Sequence, residues 1–324
     1  MKTFTDVLKE TKDKNRQLLL GNGFSQAFDK NIFNYKNLLE SANFGNRNEK
    51  IKKIFQELGT YDFESVMQTM LNSIHISQSF NEYPEFVAGI QLDAEKLKNS
   101  LVSTIAKTHP NSSNEITDNR YESTRRFLSN FSNIFTLNYD LLLYWARNMN
   151  NLPPDGFNTD DGFRERGIWK GDETDQNIFF LHGGLHIYDE SGIIKKHLYT
   201  NNGERIIDQV RTNLSKNHFP IFVAEPNHEK KLDKILHNPY LNYCYKKLMN
   251  IDGSLIIFGH SIDDTDTHIF TQAQNSAINN VYISIFGNEN TKDNKKTKSN
   301  AESFFHTCTV NFYQAESTPI WKKN

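Results

Sequence analysis

Four short segments of this chain hold residue types and spacings that could do chemistry. Gly21-Asn22-Gly23-Phe24-Ser25 follows the apolar run Gln17–Leu20 and precedes Ala27-Phe28. A glycine turn between a strand and a helix lets the backbone approach a pyrophosphate, and the helix start supplies N–H groups. The third glycine of a full dinucleotide fingerprint is missing, so an ordinary tight turn remains an alternative. Thr136-Leu137-Asn138-Tyr139-Asp140 ends a second apolar run, where Asn and Asp could equally cap the next helix. Leu181-His182-Gly183-Gly184 ends a third, and Gly259-His260-Ser261 a fourth. His182 and His186 have the i, i+4 spacing of a metal pair, but the glycines between them spoil a helix and no acidic residue separates them. Cys244 and Cys308 are the only cysteines, too few for a four-cysteine zinc site or a disulfide scaffold. No metal is expected. Asp263, Asp264 and Asp266 follow the fourth segment and read as helix caps, and Glu225 as a loop residue.

The elements that must position these residues follow from apolar patterning. Buried strands are expected at 17–20, 134–137, 177–181, 255–258, 281–286 and 309–312, with a shorter one at 221–224. They are short, continuously apolar and separated by helices, which is the signature of a parallel sheet covered on both faces. The expected fold is therefore α/β, a Rossmann-like, mainly parallel sheet with helical insertions, in one domain over 1–324. Residues 33–130 show three- and four-residue apolar spacing and read as a helical insertion. A second, smaller insertion spans about 185–250, with a hairpin (186–188 with 197–199), a helix near 203–216 and two further helices. Residues 150–175 read as an exposed connection and 288–300 as a charged loop. In an open α/β sheet, ligands bind beyond the carboxyl ends of the strands, which is where the four segments sit.

Composition narrows the function classes. The 37 Lys and Arg nearly balance 39 Asp and Glu, for a formal charge of −2, which argues against nucleic-acid binding through a whole-surface basic field. The first residues contain no apolar signal core, and no run approaches the ~20 residues of a spanning helix. A soluble, cytoplasmic protein without membrane contact is expected.

The order of the four segments resembles the sirtuin family. Sirtuins carry a Gly-Ala-Gly-x-Ser turn, matched by Gly21, Gly23 and Ser25, and a Thr-Gln-Asn-x-Asp strand end, matched by Thr136, Asn138 and Asp140. Their catalytic His followed by Gly corresponds to His182 and Gly183, and their late Gly-(Thr/Ser)-Ser loop to Gly259 and Ser261. Asn288 is similar to the late Asn that contacts the adenosine ribose. Asn22 and Leu137 depart from the pattern, and Tyr61-Asp62-Phe63-Glu64 is the nearest echo of the cofactor-loop motif. Deacylase sirtuins also insert a zinc ribbon with two Cys-x-x-Cys pairs, which two isolated cysteines cannot supply. The chain is thus more similar to divergent bacterial sirtuin-like domains, several of which act in anti-phage defence by destroying NAD.

What the resemblance implies is a site that takes NAD as substrate. Gly21, Asn22, Gly23, Phe24, Ser25, Thr136, Gly183, Gly259, Ser261 and Asn288 would hold NAD, and His182, Asn138 and Asp140 would act on it. Neutral His182 would take a proton, Asn138 would orient ribose or water, and Asp140 would bind the carboxamide. Hydrolysis to nicotinamide and ADP-ribose is the leading expectation. It calls for restraint by a regulatory protein partner or by self-assembly into a homo-oligomer. A non-catalytic NAD or ADP-ribose sensor and a deacylase are the rivals.

Overall fold

The computed structural model describes residues 1–80, 83–198, 204–216 and 218–322. Eight strands form within them: β1 (Arg16–Leu20), β2 (Asn133–Thr136), β3 (Ile178–Phe180), β4 (Ile187–Glu190), β5 (Ile193–Lys196), β6 (Asp252–Phe258), β7 (Ala277–Ile285) and β8 (Thr309–Gln314). Six make one sheet in the order β3-β2-β1-β6-β7-β8, with every neighbouring pair parallel. The expected α/β class and Rossmann-like parallel sheet are therefore present. The sheet grows outward from β1 in one direction through β3, and from β6 in the other through β8. The reversal falls between β1 and β6, which is the topological switch point of a doubly wound sheet.

The strands form where the sequence is apolar without alternation, because both faces are covered. Leu18, Leu19 and Leu20 are fully buried, as are Leu255, Ile256 and Ile257. Phe135 and Phe179 are register partners across β2 and β3, and their rings stack at 4.8 Å. Helices at Tyr35–Ser41, Asn48–Glu57, Phe63–Ser79, Pro84–Thr108 and Asp118–Leu128 make up the first insertion, and the second carries helices at Ile206–Ser215, His228–His237 and Pro239–Met249. Among the described residues, no helix is long and apolar enough to cross a membrane.

Three local expectations need correction. Residues 221–224 form no strand. Phe222 makes a single bridge to Gly183, and the segment runs along the turn after β3, with Gly184 N–H donating to Ile221 O and Val223 N–H to His182 O. Residues 292–304 are a helix rather than a loop: Thr291 caps it at Asn294 N, and Thr297 and Ala301 bury its inner face. The connection at 150–175 is anchored inward, because Asp161 is buried between Arg147 (3.0 Å) and Lys196 (2.6 Å). The hairpin is β4–β5, with Ile187 opposite Lys196 and His197 N–H donating to His186 O; Tyr199 and residue 203, the start expected for the next helix, lie outside the described residues.

Parallel register sets the rim. Leu20 pairs with Thr136 and with Phe258, and Thr136 with Phe180, so the residues after these strands emerge level with one another. Two of the turns touch through backbone. A Cβ on Gly259, whose φ is +70°, would lie 2.6 Å from Gly23 Cα. Gly287, also at positive φ, has open space around it. Gly259→Ala is expected to cost about 1–3 kcal/mol from backbone strain, plus the cost of separating the two turns. Gly287→Ala should cost only about 1–2 kcal/mol. Urea unfolding of the two variants measures the gap.

Candidate active site

The rim gathers two polar clusters. The first joins the turn after β1 to the loop after β2. Ser25 Oγ donates to Asp140 Oδ2 at 2.5 Å and accepts from Asn138 Nδ2 at 2.9 Å. Asp140 Oδ1 accepts from Leu142 N–H at 2.8 Å, at the start of the helix Leu142–Asn148. Thr136 Oγ1 accepts from Asn138 N–H at 3.1 Å. All four residues are buried, and burial raises the Asp140 carboxyl above its usual value despite the Ser25 bond.

The second cluster lies around the end of β3. His182 Nε2 faces His268 Nε2 at 3.4 Å and Asp266 Oδ1 at 3.8 Å, and the two imidazole rings lie nearly parallel, edge to edge. Asp266 Oδ1 accepts from Lys231 Nζ at 2.9 Å, and Oδ2 lies 3.0 Å from His260 Nε2. Lys231 Nζ also donates to Glu64 Oε2 at 2.7 Å. Burial alone would raise Asp266, but Lys231 and His260 hold its carboxyl well below the usual range. Burial pushes Glu64 up to about 7 against the pull of Lys231. Burial also holds His182 well below its ordinary value, although Asp266 opposes this, so the ring is neutral at pH 7. His182 is only 2% exposed, so contact with a ligand requires the segments above it to shift.

The glycine turns have a structural role of their own. Gly21 N–H donates to Phe258 O, Gly23 N–H to Gly259 O, Phe24 N–H to Gly21 O and Ser25 N–H to Asn22 O. Among the described residues Asn22 N–H makes no such bond, so it is the donor this turn leaves open to an anion. Phe24 is core: it packs on Trp321 at 5.3 Å, and its carbonyl accepts from the Trp321 indole. Asn22 Nδ2 donates to Phe33 O. Gly183, with φ +76°, is pressed on Ile221 O. Ser261 is exposed, with its carbonyl accepting from Thr297 Oγ1. Asn288 is exposed in the turn after β7, its side chain accepting from Asn290 N–H.

Sequence reasoning missed most of the second cluster. Asp263 caps as expected, accepting from Thr265 N–H, but Asp266 is a buried ion-pair partner instead. Asp62 caps the helix Phe63–Ser79, and Glu64 is the residue of that motif that reaches the rim. The signal for Lys231 and His268 lay only in long-range contact. His186 does not join His182: its ring packs on Tyr144 and Phe180. Glu225 is a largely covered carboxylate that pairs with Lys98 and Lys234.

His182, Asp266 and His268 present ligand atoms within 4.8 Å of one another, near enough to share a divalent cation. Lys231 already neutralises the Asp266 oxygen on that side at short range, and a second cation there would meet its repulsion. The residues therefore fit an ion-paired cluster better than a metal centre.

The model of a family described as Domain of unknown function (DUF4917) matches residues 18–321, nearly the whole chain. The chain belongs to this family. No curated protein matches it. No solved structure does either.

Two outcomes are expected. Metal analysis of purified protein should find no stoichiometric zinc, and one tightly held zinc per chain would reassign His182, Asp266 and His268 as ligands. The second concerns pH. Burial pushes the Glu64 carboxyl up to about 7 in the folded chain, above its ordinary value of 4.5. Between those values the folded state binds more protons than the unfolded state, so this group's contribution to stability falls as pH rises. Asp266 acts in the opposite sense, contributing stability above its unfolded value near 3.8 that is lost as pH falls through its lower folded value. Glu64→Gln should flatten the stability profile between pH 4.5 and 7, measured by urea unfolding at each pH.

Proposed function

We propose that this chain is an NAD glycohydrolase, splitting NAD into nicotinamide and ADP-ribose. The observation that supports it best is the gathering of Asn138, His182 and the Gly21–Gly23 and Gly259 turns on one level rim, beside the switch point of a parallel sheet. That is where a doubly wound sheet binds dinucleotides. In this reading the pyrophosphate lies over the two touching glycine turns, near the Asn22 N–H, and the nicotinamide ribose reaches toward Asn138 and His182.

The chemistry asks little of the leaving group. Nicotinamide departs as a neutral base from a cationic ring, so it needs no proton. The bond from the anomeric carbon to the ring nitrogen breaks through an oxocarbenium-like transition state, as in glycoside cleavage. Water then adds to that carbon and loses one proton. His182 is kept neutral by its burial, so it accepts that proton, directly or through a ribose hydroxyl. Asn138 donates to Ser25 through one amide hydrogen, which leaves a second hydrogen and the carbonyl to orient ribose or water. Asp140 is bound to Ser25 and Leu142, so it acts by fixing this loop and, when ionised, by favouring the positive charge of the transition state.

Such an enzyme fits an NAD-depleting role in bacterial anti-phage defence, released by a regulatory partner or a change in self-assembly. The second reading, a sensor that binds NAD or ADP-ribose without cleaving it, draws on two observations. The turn's backbone donors are largely occupied, and His182 is nearly sealed.

NAD consumption and NAD binding, each measured with and without the products of neighbouring genes, separate the readings. His182→Ala should lower hydrolysis by at least ~10²–10⁴-fold while sparing binding, because a base acts in the transition state. Asn138→Ala should also stop turnover. Retained hydrolysis in His182→Ala would place the base elsewhere. Wild-type protein that binds NAD and never cleaves it would favour the sensor. Gly23→Val does not report on affinity alone, since its side chain would strike Gly259 and disturb folding.

A further inference from the structure

Asp266 has both carboxylate oxygens fixed by groups from separate parts of the chain. His260 Nδ1 accepts from Ile262 N–H at 2.8 Å, so Nε2 is the nitrogen that carries a proton and donates it to Asp266 Oδ2. Lys231 Nζ, on the helix His228–His237, holds Oδ1. Lys231 is fixed in turn by Glu64, in the first turn of the helix Phe63–Ser79. Each of these side chains is buried or nearly so, and His182 Nε2 faces the Oδ1 edge of the same carboxylate.

We propose that Asp266 is the positioning residue for His182, holding its ring with the proton on Nε2 and Nδ1 bare, and that Lys231, pinned by Glu64, keeps Asp266 in place. This rests on the reading of His182 as the base. The contact between the Nε2 atoms of His182 and His268 needs one ring to donate and the other to accept. An anionic carboxylate on the His182 side favours the proton on His182. That choice leaves the proton of His268 on its buried, partnerless Nδ1, a cost that the attraction of the carboxylate for the His182 proton must exceed. The opposite choice would give His182 the wrong tautomer for a base that works through Nδ1. Among the described residues His182 Nδ1 makes no hydrogen bond, so it is the nitrogen open to a reacting group.

The assignment also gives the two insertions a function. Glu64 belongs to the first and Lys231 to the second, and the two side chains pair at 2.7 Å beside this carboxylate. The base is therefore correctly oriented only while both insertions are seated on the rim.

The test reads the nitrogen chemical shifts of His182 in ¹⁵N-histidine-labelled full-length chain, assigned by comparison with His182→Gln. Wild type should show a protonated Nε2 and a bare Nδ1. Asp266→Asn should lose that single-tautomer signature, and Lys231→Arg, which keeps the charge, should retain it. In turnover, Asp266→Asn should lower kcat by about 10²-fold or more while KM for NAD changes little, as expected when a base is left in the wrong tautomer. A wild-type proton on Nδ1, or an unchanged His182 signature in Asp266→Asn, overturns the proposal. If wild type cleaves no NAD, the glycohydrolase reading fails separately, and the nitrogen shifts still decide how Asp266 acts on His182. If wild type cleaves NAD and His182→Ala does not, but Asp266→Asn turns over at the wild-type rate, the positioning role fails and the glycohydrolase reading stands.

Discussion

One ammonium group, that of Lys231, stands between two buried carboxylates, and the arrangement of the rim depends on it. Glu64 and Asp266 could not both be ionised side by side in a dry site without a cation. Bringing these charges out of water costs several kcal/mol per ion, so the cluster is weak evidence for net stability. What it supplies is geometry. A helix from residues 63–79, a helix from 228–237 and the short turn after β6 must all arrive in register for the three charges to meet. Withdrawing Lys231 leaves two buried carboxylates without their cation, which disfavours partly seated arrangements of the insertions more than it rewards the native one.

A second constraint acts on the backbone. The turns after β1 and β6 approach so closely that neither Gly23 nor Gly259 has room for a side chain. Glycine is therefore needed there whether or not a pyrophosphate binds. The close approach also occupies the Gly21 and Gly23 N–H groups in holding the two strand ends together. A glycine-rich strand end thus has two separable causes: access for a ligand and access for a neighbouring strand. Here the second is visible in contacts, and the first is the reading that the switch-point location favours.

Much of the sheet was legible because buried parallel strands leave a simple trace: short apolar runs that stop at glycine or a small polar residue. The runs at 17–20, 134–137 and 255–258 fall within a residue of β1 and β2 and inside β6 for that reason. The same rule overreached at 221–224. Those residues are as apolar as a strand, but they serve to pin the turn after His182, with a bridge at Phe222. It also missed the helix at 292–304, whose surface is nearly all polar and whose evidence lay in the Thr291 cap and the spacing of Thr297 and Ala301. The site was legible where its residues adjoin strand ends, as at Asn138 and His182. It was not legible at Lys231, which sits in a charged, amphipathic helix among several lysines. Asp263 and Asp266 make the point most sharply. They lie three residues apart in one acidic run, yet one caps a turn and the other is ion-paired in the interior, and only the distant Lys231 distinguishes them.

Burial affects the candidate base in two opposed ways. It keeps the His182 ring neutral, which a proton acceptor must be, and it excludes the bulk water that would weaken every charge in the cluster. It also closes the ring off from a substrate. A fully open rim would relieve the closure but would rehydrate Asp266 and Lys231 and loosen the orientation that the ion pairs impose. A permanently closed one would keep the orientation and admit nothing. The structure resolves this by dividing the two tasks between different sides of the ring. Nε2 faces the fixed interior cluster, whose partners come from the two insertions, while the turn His182–Gly184 is covered by the buried segment 221–224, which three backbone hydrogen bonds and the Tyr139 hydroxyl hold in place. Shifting that cover would break those bonds and expose Phe222 and Val223, but it would leave the ion-paired side of the ring intact.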